Sequence, residues 1–261
     1  MRKGKTASLG AYRFEVTQEM PPYQERTYRN KVSAPGLTCF RVVVKETDLW
    51  VCAERNLRVE TRDLVFDARH QIECYIESHP GFSTVFSALP EDPFAPPVIK
   101  EMIRSSTQAG VGPMAAVAGV IAQHVGEGLL TMSEQVIVEN GGDIFMKAHR
   151  PLTVSAFAGT SALSGKFGIR IPLRHMPGGV CASSGTVGHS FSRGIADMVC
   201  IVAPSAGLAD ACATALGNRV GTPGDVEKAG RWAREMRGIR GGVVVAGDRM
   251  AGWGDIELVP V

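Results

Sequence analysis

Asp210 and Thr214 are the residues whose types and spacing most directly predict chemistry. They lie four positions apart in the segment Ala209–Leu216, which places both on one face of a helix. A carboxylate and a hydroxyl are hard oxygen ligands that suit Mg²⁺, an ion that keeps several waters and recruits substrate phosphates. The alternative is an exposed helix face whose aspartate lies near the positive N-terminal end of the helix.

A second segment, Asn140-Gly141-Gly142-Asp143-Ile144, predicts a hairpin turn. It follows the apolar run 136–138, and Asn and Gly tolerate the positive φ that such turns require. The two glycines also let the main chain approach a ligand closely, where bare N–H groups hold a phosphate or a flavin carbonyl. The hairpin and the binding site are compatible interpretations.

The segment Cys181–Ser190 is dense in small hydroxyl side chains and glycines. Such residues form anion cradles, and they form ordinary turns equally well. His189, near the end of this segment, has a side chain suited to proton transfer near neutral pH. A lone histidine is more often structural, so both interpretations of His189 stay open.

The elements that must position these residues fall into blocks, which favours an α+β fold over a regularly alternating one. Apolar periodicity predicts strands and helices along the whole chain. The predicted strands are 38–45, 48–53, short strands from 136 onward, 242–246 and 255–259, and the predicted helices are 57–77, 97–109, 111–122, 208–216 and 225–236. The chain is expected to form one domain over residues 1–261, with the proline-rich loop 89–97 as its most plausible internal boundary.

Composition excludes several classes of protein. The 261 residues carry a net charge of +2 and are 44% hydrophobic, which gives no indication of a nucleic-acid partner. No apolar run approaches the ~18 residues that span a bilayer, and no apolar signal core follows the basic N-terminus. The six cysteines have no CxxC spacing, so they are expected to be reduced core thiols. These features predict a cytoplasmic protein with no membrane partner.

The segment Asn140-Gly141-Gly142-Asp143-Ile144, followed later in the chain by Ala209–Leu216, resembles the signature of the ApbE-like flavin transferase family. That family binds FAD and Mg²⁺ and moves the FMN half of FAD onto a protein threonine. The resemblance implies that Asp210 and Thr214 are the Mg²⁺ ligands. It also implies a flavin-nucleotide pocket lined by Asn140, Gly141, Gly142 and Asp143.

The resemblance extends to the hydroxyl-rich segment and has gaps. Four residues match the family's Ala-Thr-Ser-Gly stretch, whose hydroxyls touch the nucleotide: Ser183, Ser184, Gly185 and Thr186. His189 matches the family's acid/base histidine, but Ser192-Arg193 stands where the family has Asp-Pro. The segment Val111–Gly119 lacks the Asp and Lys of the family's Asp-x-Gly-Gly-x-Ala-Lys-Gly motif, although its backbone carbonyls are still able to complete a metal site.

The fold implied by the resemblance is α+β, ApbE-like, with T-fold-like antiparallel sheets packed against long helices. The chain resembles a shorter, cytosolic branch of the group, and sheets of this type associate through their edges into homo-oligomers. The implied function is binding of a flavin nucleotide, or of another phosphorylated small molecule, with Mg²⁺-dependent transfer of FMN from FAD to an acceptor protein. Two alternatives keep the scaffold without the transfer chemistry. One is a non-enzymatic accessory protein, as in sulfide assimilation and homocysteine synthesis, and the other is a small-molecule sensor.

Overall fold

The computed structural model describes residues 36–183 and 194–261. Within these ranges the chain forms five α-helices and eleven strands. The helices are α1 (Arg58–Ser78), α2 (Pro97–Ala109), α3 (Val117–Leu129), α4 (Ala206–Gly217) and α5 (Val226–Glu235). The strands are β1 (Thr38–Val44), β2 (Thr47–Ala53), β3 (Val136–Asn140), β4 (Asp143–Lys147), β5 (Leu152–Ser155), β6 (Phe167–Ile171), β7 (Gly178–Ser183), β8 (Met198–Ala203), β9 (Gly241–Ala246), β10 (Arg249–Gly254) and β11 (Glu257–Pro260).

The strands form two sheets. The main sheet has eight strands in the order β1-β2-β3-β4-β7-β8-β9-β10, and the small sheet has three in the order β11-β6-β5. Each pairing between the described strands is antiparallel. The predicted α+β fold with antiparallel sheets and helices is therefore confirmed. Because β5 and β6 leave the main sheet, β4 and β7 become direct neighbours although they are distant in sequence.

The two faces of the main sheet bury different partners, because successive side chains of a strand point to opposite faces. Val136 and Val138 belong to the larger apolar core, which also contains the buried residues of the helices. Ile137, between them, belongs to the smaller core with Ile169 and Ile171 of the small sheet. Helices therefore cover one face of the main sheet, and the small sheet covers the other.

Helix α4 is the most buried helix, with eleven of its twelve residues buried. Its sequence is rich in alanine and glycine, which allows neighbouring main chains to pack close to it. Ser205 caps its N-terminus by accepting the N–H of Leu208 at 3.1 Å. The predicted helix 208–216 is therefore present and begins two residues earlier.

Two sequence predictions were wrong at element boundaries. The predicted helix 111–122 is a 3₁₀ turn, Pro113–Ala116, followed by α3, which continues to Leu129. The backbone breaks at Ala116, whose φ and ψ are −118° and 0°. The predicted strand 255–259 corresponds to β11, which begins two residues later at Glu257 and ends at Pro260. Gly254, the last residue of β10, adopts a left-handed φ of 77°, and the chain turns there between the two sheets.

The cysteines do not all follow the prediction of reduced core thiols. Cys39 and Cys52 face each other on β1 and β2 and form a disulfide. Cys74 is a free thiol but is exposed. The prediction was wrong for these three residues, because the cross-strand register and the solvent face of α1 cannot be read from cysteine spacing. The remaining cysteines, Cys181, Cys200 and Cys212, are free and buried as expected.

Helices α1 and α2 lie before and after the proline-rich loop 89–97 and contribute to one core. Where the chain divides into domains stays a prediction. Among the residues that the structure describes, no single helix has the length and apolar composition to cross a membrane. Two consecutive helical segments, Pro97–Ala109 and Pro113–Leu129, meet those criteria only as a pair, with a bend of 101° between them.

Candidate active site

The β3–β4 hairpin lies at one end of the main sheet, where the candidate site is formed on the face covered by helices. Asn140 pairs with Asp143, so only Gly141 and Gly142 form the turn. Their backbone φ angles are 70° and 108°, values that residues other than glycine rarely adopt. The Gly142 N–H donates to Glu139 Oε1 at 2.9 Å, and the Gly142 carbonyl accepts the N–H of Ala182 at 3.1 Å. The predicted hairpin is therefore present, and its turn is anchored to β7.

Strand β7 adds two polar side chains to this end of the sheet. Cys181 pairs with Asp143 across the β4–β7 ladder. Ser183 lies two residues further along β7, and the period of two in a strand places it on the same face as Cys181. Both residues are buried. The helix-covered face therefore carries Asp143, Cys181 and Ser183 side by side.

Asp210 approaches this end of the sheet from α4. Its Oδ2 accepts the N–H of Gly119 at 2.9 Å, and Cys181 Sγ donates to its Oδ1 at 3.9 Å. Gly119 lies in the first turn of α3, whose N–H groups have no partner within the helix. Asp210 therefore acts as an N-terminal cap for α3, and one oxygen of its carboxylate still faces the sheet.

The ligand atoms of Asp143, Cys181 and Asp210 all lie within 4.8 Å of one another. The exposed fractions of these residues are 6%, 1% and 9%, respectively. They come from β4, β7 and α4, so the cluster exists only in the folded chain. Two carboxylates and a thiol this close together are a donor set that can hold a divalent cation.

Burial and the neighbouring carboxylates disfavour the charged forms of Asp210 and Cys181. Burial raises the pKa of Asp210 well above its ordinary value, and the neighbouring carboxylate of Asp143 raises it further. The backbone N–H groups of Gly119 and Ala118, and then the Cys181 thiol, act in the opposite direction. The pKa of Cys181 is also raised, by burial first and then by the carboxylates of Asp143 and Asp210. A bound cation would relieve this mutual repulsion.

The structure brings some predicted site residues together. Asn140 and Asp210 contact the start of α3, and Asp143 lies beside Asp210. Asn140 Nδ2 donates to the Ala118 carbonyl at 3.0 Å, and Gly141 and Gly142 form the adjoining turn. Thr214 lies one helical turn beyond Asp210 and is half-buried. The predicted residues Ser184, Gly185, Thr186 and His189 lie outside the described residues. The roles assigned to all of these residues stay predictions.

Sequence reasoning missed Cys181 as a member of the site, because a buried cysteine usually fills a core as a small apolar residue. A signal was available. Cys181 precedes Ser183 by two positions in a strand, so the two must share a face. Sequence reasoning also missed that the Gly119 N–H binds Asp210, which depends on the packing of α3 against α4.

We expect Asn140→Ala to lower the free energy of unfolding by about 1 kcal/mol, because it removes the hydrogen bond to Ala118 that ties the hairpin to α3. Urea denaturation measures the change. Asn56→Ala is the control, since the Asn56 side chain is exposed and accepts the N–H of Arg58, two residues away. An effect at Asn56 as large as that at Asn140 would mean that the contact to α3 adds nothing specific.

Comparison with known proteins identifies the family. The family model described as AbpE bacteria matches residues 30–237. The chain belongs to this family. A UPF0280 protein of Methanocella arvoryzae is a relative of this chain and is 35% identical to it over 217 residues, which cover 83% of this chain and 88% of that protein. A UPF0280 protein of Methanospirillum hungatei is 41% identical over 219 residues, which cover 83% of this chain and 87% of that protein.

Solved structures similar to this AbpE bacteria family member confirm the fold. The flavin transferase ApbE from Vibrio cholerae superposes with a TM-score of 0.58 at 13% identity, covering 83% of this chain and 96% of that chain. The flavinyl transferase ApbE from Pseudomonas stutzeri, in its apo form, superposes with a TM-score of 0.54 at 13% identity, covering 86% and 94%. At this level of identity the likeness shows the fold alone. The resemblance stated from the sequence motifs is confirmed at the level of family and fold.

Proposed function

We propose that this protein binds a flavin nucleotide beside the β3–β4 hairpin and uses a divalent cation to transfer FMN from FAD to a protein threonine. One observation carries the proposal. Asp143 and Asp210, from the two segments that resemble the flavin transferase signature, meet in one buried cluster. The family and the flavin transferases of the same fold support it.

The residues present fit a divalent cation. Burying two carboxylates side by side is costly unless their charge is compensated. Asp143 and Asp210 lie in this arrangement, and their repulsion contributes to the raised pKa of Asp210. A divalent cation held by these carboxylates would add positive charge to the cluster and would supply charge stabilisation for a bound pyrophosphate. Asp143 and Asp210 are the residues that would hold it.

The remaining residues position the reactants. The Gly141-Gly142 turn presents main chain without side chains at the edge of the cluster, which leaves room for a nucleotide to approach. Asn140 holds the hairpin against the start of α3. In the transfer, the acceptor hydroxyl oxygen forms a bond to the phosphorus of FMN, the pyrophosphate bond breaks and AMP leaves. The proton of the hydroxyl goes to a base, for which His189 is the predicted residue.

The test is the response of the purified protein to FAD, with and without Mg²⁺ or Mn²⁺. We expect FAD and the cation together to raise the melting temperature more than either alone, because a ligand that binds the folded state stabilises it. We also expect chromatography to detect released AMP, because water can take the place of the acceptor hydroxyl when no acceptor protein is present. AMP release that needs the cation supports FMN transfer and justifies a search for the flavinylated threonine.

The other outcomes separate the alternatives. A rise in melting temperature without AMP release indicates a flavin-binding accessory protein and contradicts the transferase. No response to FAD with Mg²⁺, Mn²⁺, Zn²⁺ or Co²⁺ contradicts flavin binding as a whole. FMN and riboflavin serve as matched ligands, since both carry the isoalloxazine ring but lack the pyrophosphate that the cation is proposed to bind.

A further inference from the structure

We propose that Cys181 is a metal ligand, so that the cation site of this protein binds a thiophilic divalent ion such as Zn²⁺ or Co²⁺ through one thiolate and two carboxylates. The proposal rests on the cation site of the proposed function and specifies which class of metal it takes. Its basis is the convergence of Asp143, Cys181 and Asp210 within 4.8 Å.

The geometry of the cluster suits such an ion. With a metal–sulfur distance of ~2.3 Å and a metal–oxygen distance of ~2.1 Å, a tetrahedral centre separates its sulfur and oxygen ligands by about 3.5 Å. Cys181 Sγ lies 3.9 Å from Asp210 Oδ1, a difference that a small side-chain movement removes. The register of β4 and β7 fixes Asp143 beside Cys181. Three protein ligands leave a fourth position for water or a phosphate oxygen, as in catalytic zinc sites.

Capping of α3 does not explain the cluster. One carboxylate is enough to accept the N–H of Gly119, and Asp210 supplies it through Oδ2. The cap requires neither a second buried carboxylate nor a thiol beside the first. The carboxylate of Asp143 repels that of Asp210, and Cys181 Sγ lies next to Asp210 Oδ1 rather than Oδ2. The three groups together offer one ion three ligand atoms.

The chemistry of the donor set decides the class of metal. Mg²⁺ takes oxygen ligands and gains little from sulfur. Thiolate ligands favour Zn²⁺ and related ions, whereas carboxylates accept both classes. When such an ion binds, Cys181 releases its proton to solvent and becomes a thiolate. A site with Asp143 and Asp210 alone would bind Mg²⁺ and Zn²⁺ by charge, so Cys181 is the residue that discriminates between them.

Titration of the protein with Co²⁺ tests the proposal, because a cobalt–thiolate bond produces a charge-transfer absorption in the near ultraviolet. The full chain is used in a Cys74→Ser background, since exposed Cys74 lies 3.4 Å from His70 Nδ1 and would bind added metal itself. No reductant is added, which leaves the Cys39–Cys52 disulfide intact. We expect the absorption to saturate at one Co²⁺ per chain and Zn²⁺ to abolish it by competition.

Two variants assign the absorption. Cys181→Ala is expected to remove it and to weaken Co²⁺ binding by about 100-fold, since loss of even an outer contact to a metal site costs ~10–100-fold. Cys212→Ala is the matched control, because Cys212 is an equally buried thiol that lies on α4 outside the cluster. It should keep both the absorption and the affinity. Cys181→Ser, which preserves the size of the side chain, replaces Cys181→Ala if circular dichroism shows that the alanine variant does not fold.

The outcomes distinguish this proposal from the proposed function. Co²⁺ binding without charge-transfer absorption, or an absorption that survives in Cys181→Ala, overturns the role of Cys181. AMP release from FAD with Mg²⁺ and without that absorption supports the transferase and overturns the thiolate ligand. An absorption lost only in Cys181→Ala, in a protein that does not respond to FAD, supports the ligand and contradicts the flavin chemistry.

Discussion

Asp210→Asn is expected to slow cation-dependent release of AMP strongly while making the metal-free protein more stable. The asparagine Oδ1 can still accept the N–H of Gly119, so the cap of α3 is kept. The negative charge that would hold the cation is removed. We expect the rate of AMP release to fall by about 10²- to 10³-fold, the typical effect of removing one electrostatic contact to a transition state.

The gain in stability follows from the raised pKa of Asp210. Burial and the carboxylate of Asp143 disfavour its charged form in the folded chain. The variant has no such charge to bury, so its free energy of unfolding at neutral pH should exceed that of the metal-free protein. Urea denaturation in the presence of a chelator measures the difference. A protein that loses activity and also stability would show that Asp210 acts only through packing.

Asp197→Asn is the matched control for this variant. Asp197 has the same exposed fraction as Asp210, 9%, and its Oδ2 likewise accepts one backbone N–H, that of Gly247. It lies outside the cluster of Asp143, Cys181 and Asp210. Asp197→Asn should therefore leave the cation dependence of AMP release unchanged. Equal loss of activity in both variants would contradict a specific role for Asp210.

The same pKa shift gives the metal-free protein a pH dependence of defined sign. Because the pKa of Asp210 is higher in the folded chain than in the unfolded chain, the folded state holds its proton more tightly. The stabilisation is complete below the ordinary carboxyl range and is lost as pH rises through the folded pKa. We expect this loss to be absent in Asp210→Asn and to be offset when a divalent cation is added.

The extent to which the sequence predicts this molecule depends on the range of the interactions. Helices α1 and α2 were predicted within one residue at their ends, because Pro97 and Gly110 mark the limits of α2 locally. The hairpin at Gly141-Gly142 was predicted because the turn conformation is encoded in its own residues. The Cys39–Cys52 disulfide and the pairing of β4 with β7 could not be predicted, since both depend on strand order.

The site shows the same division. Motif resemblance predicted a role for Asp143 and Asp210 separately, one as a nucleotide contact and the other as a metal ligand. Their meeting depends on two non-local features: the departure of β5 and β6 from the main sheet, and the packing of α4 against α3 and β7. Cys181 joins them only through the register with Asp143. A single sequence contains the residues of this cluster but not the distances between them.

The packing of α3 against α4 makes the site geometry depend on Gly119. A Cβ atom on Gly119 would lie 2.3 Å from the Ala206 carbonyl oxygen and 2.9 Å from Asp210 Cβ. The first neighbour is main chain and cannot rotate away, so Gly119→Ala must push the helices apart. We expect a loss of about 3 kcal/mol in the free energy of unfolding, which lowers the melting temperature by about 6–12 °C.

Gly128→Ala, in the same helix, is the control for this substitution. Its nearest atoms belong to the end of the flexible Leu64 side chain, at 2.6 Å, which can move aside. Alanine is also the better helix former by about 1 kcal/mol, so this variant should be neutral or more stable. Equal melting temperatures for Gly119→Ala and Gly128→Ala would contradict the close packing of α3 against α4. The hydrogen bond from the Gly119 N–H to Asp210 Oδ2, which positions Asp210 in the cluster, would then be contradicted as well.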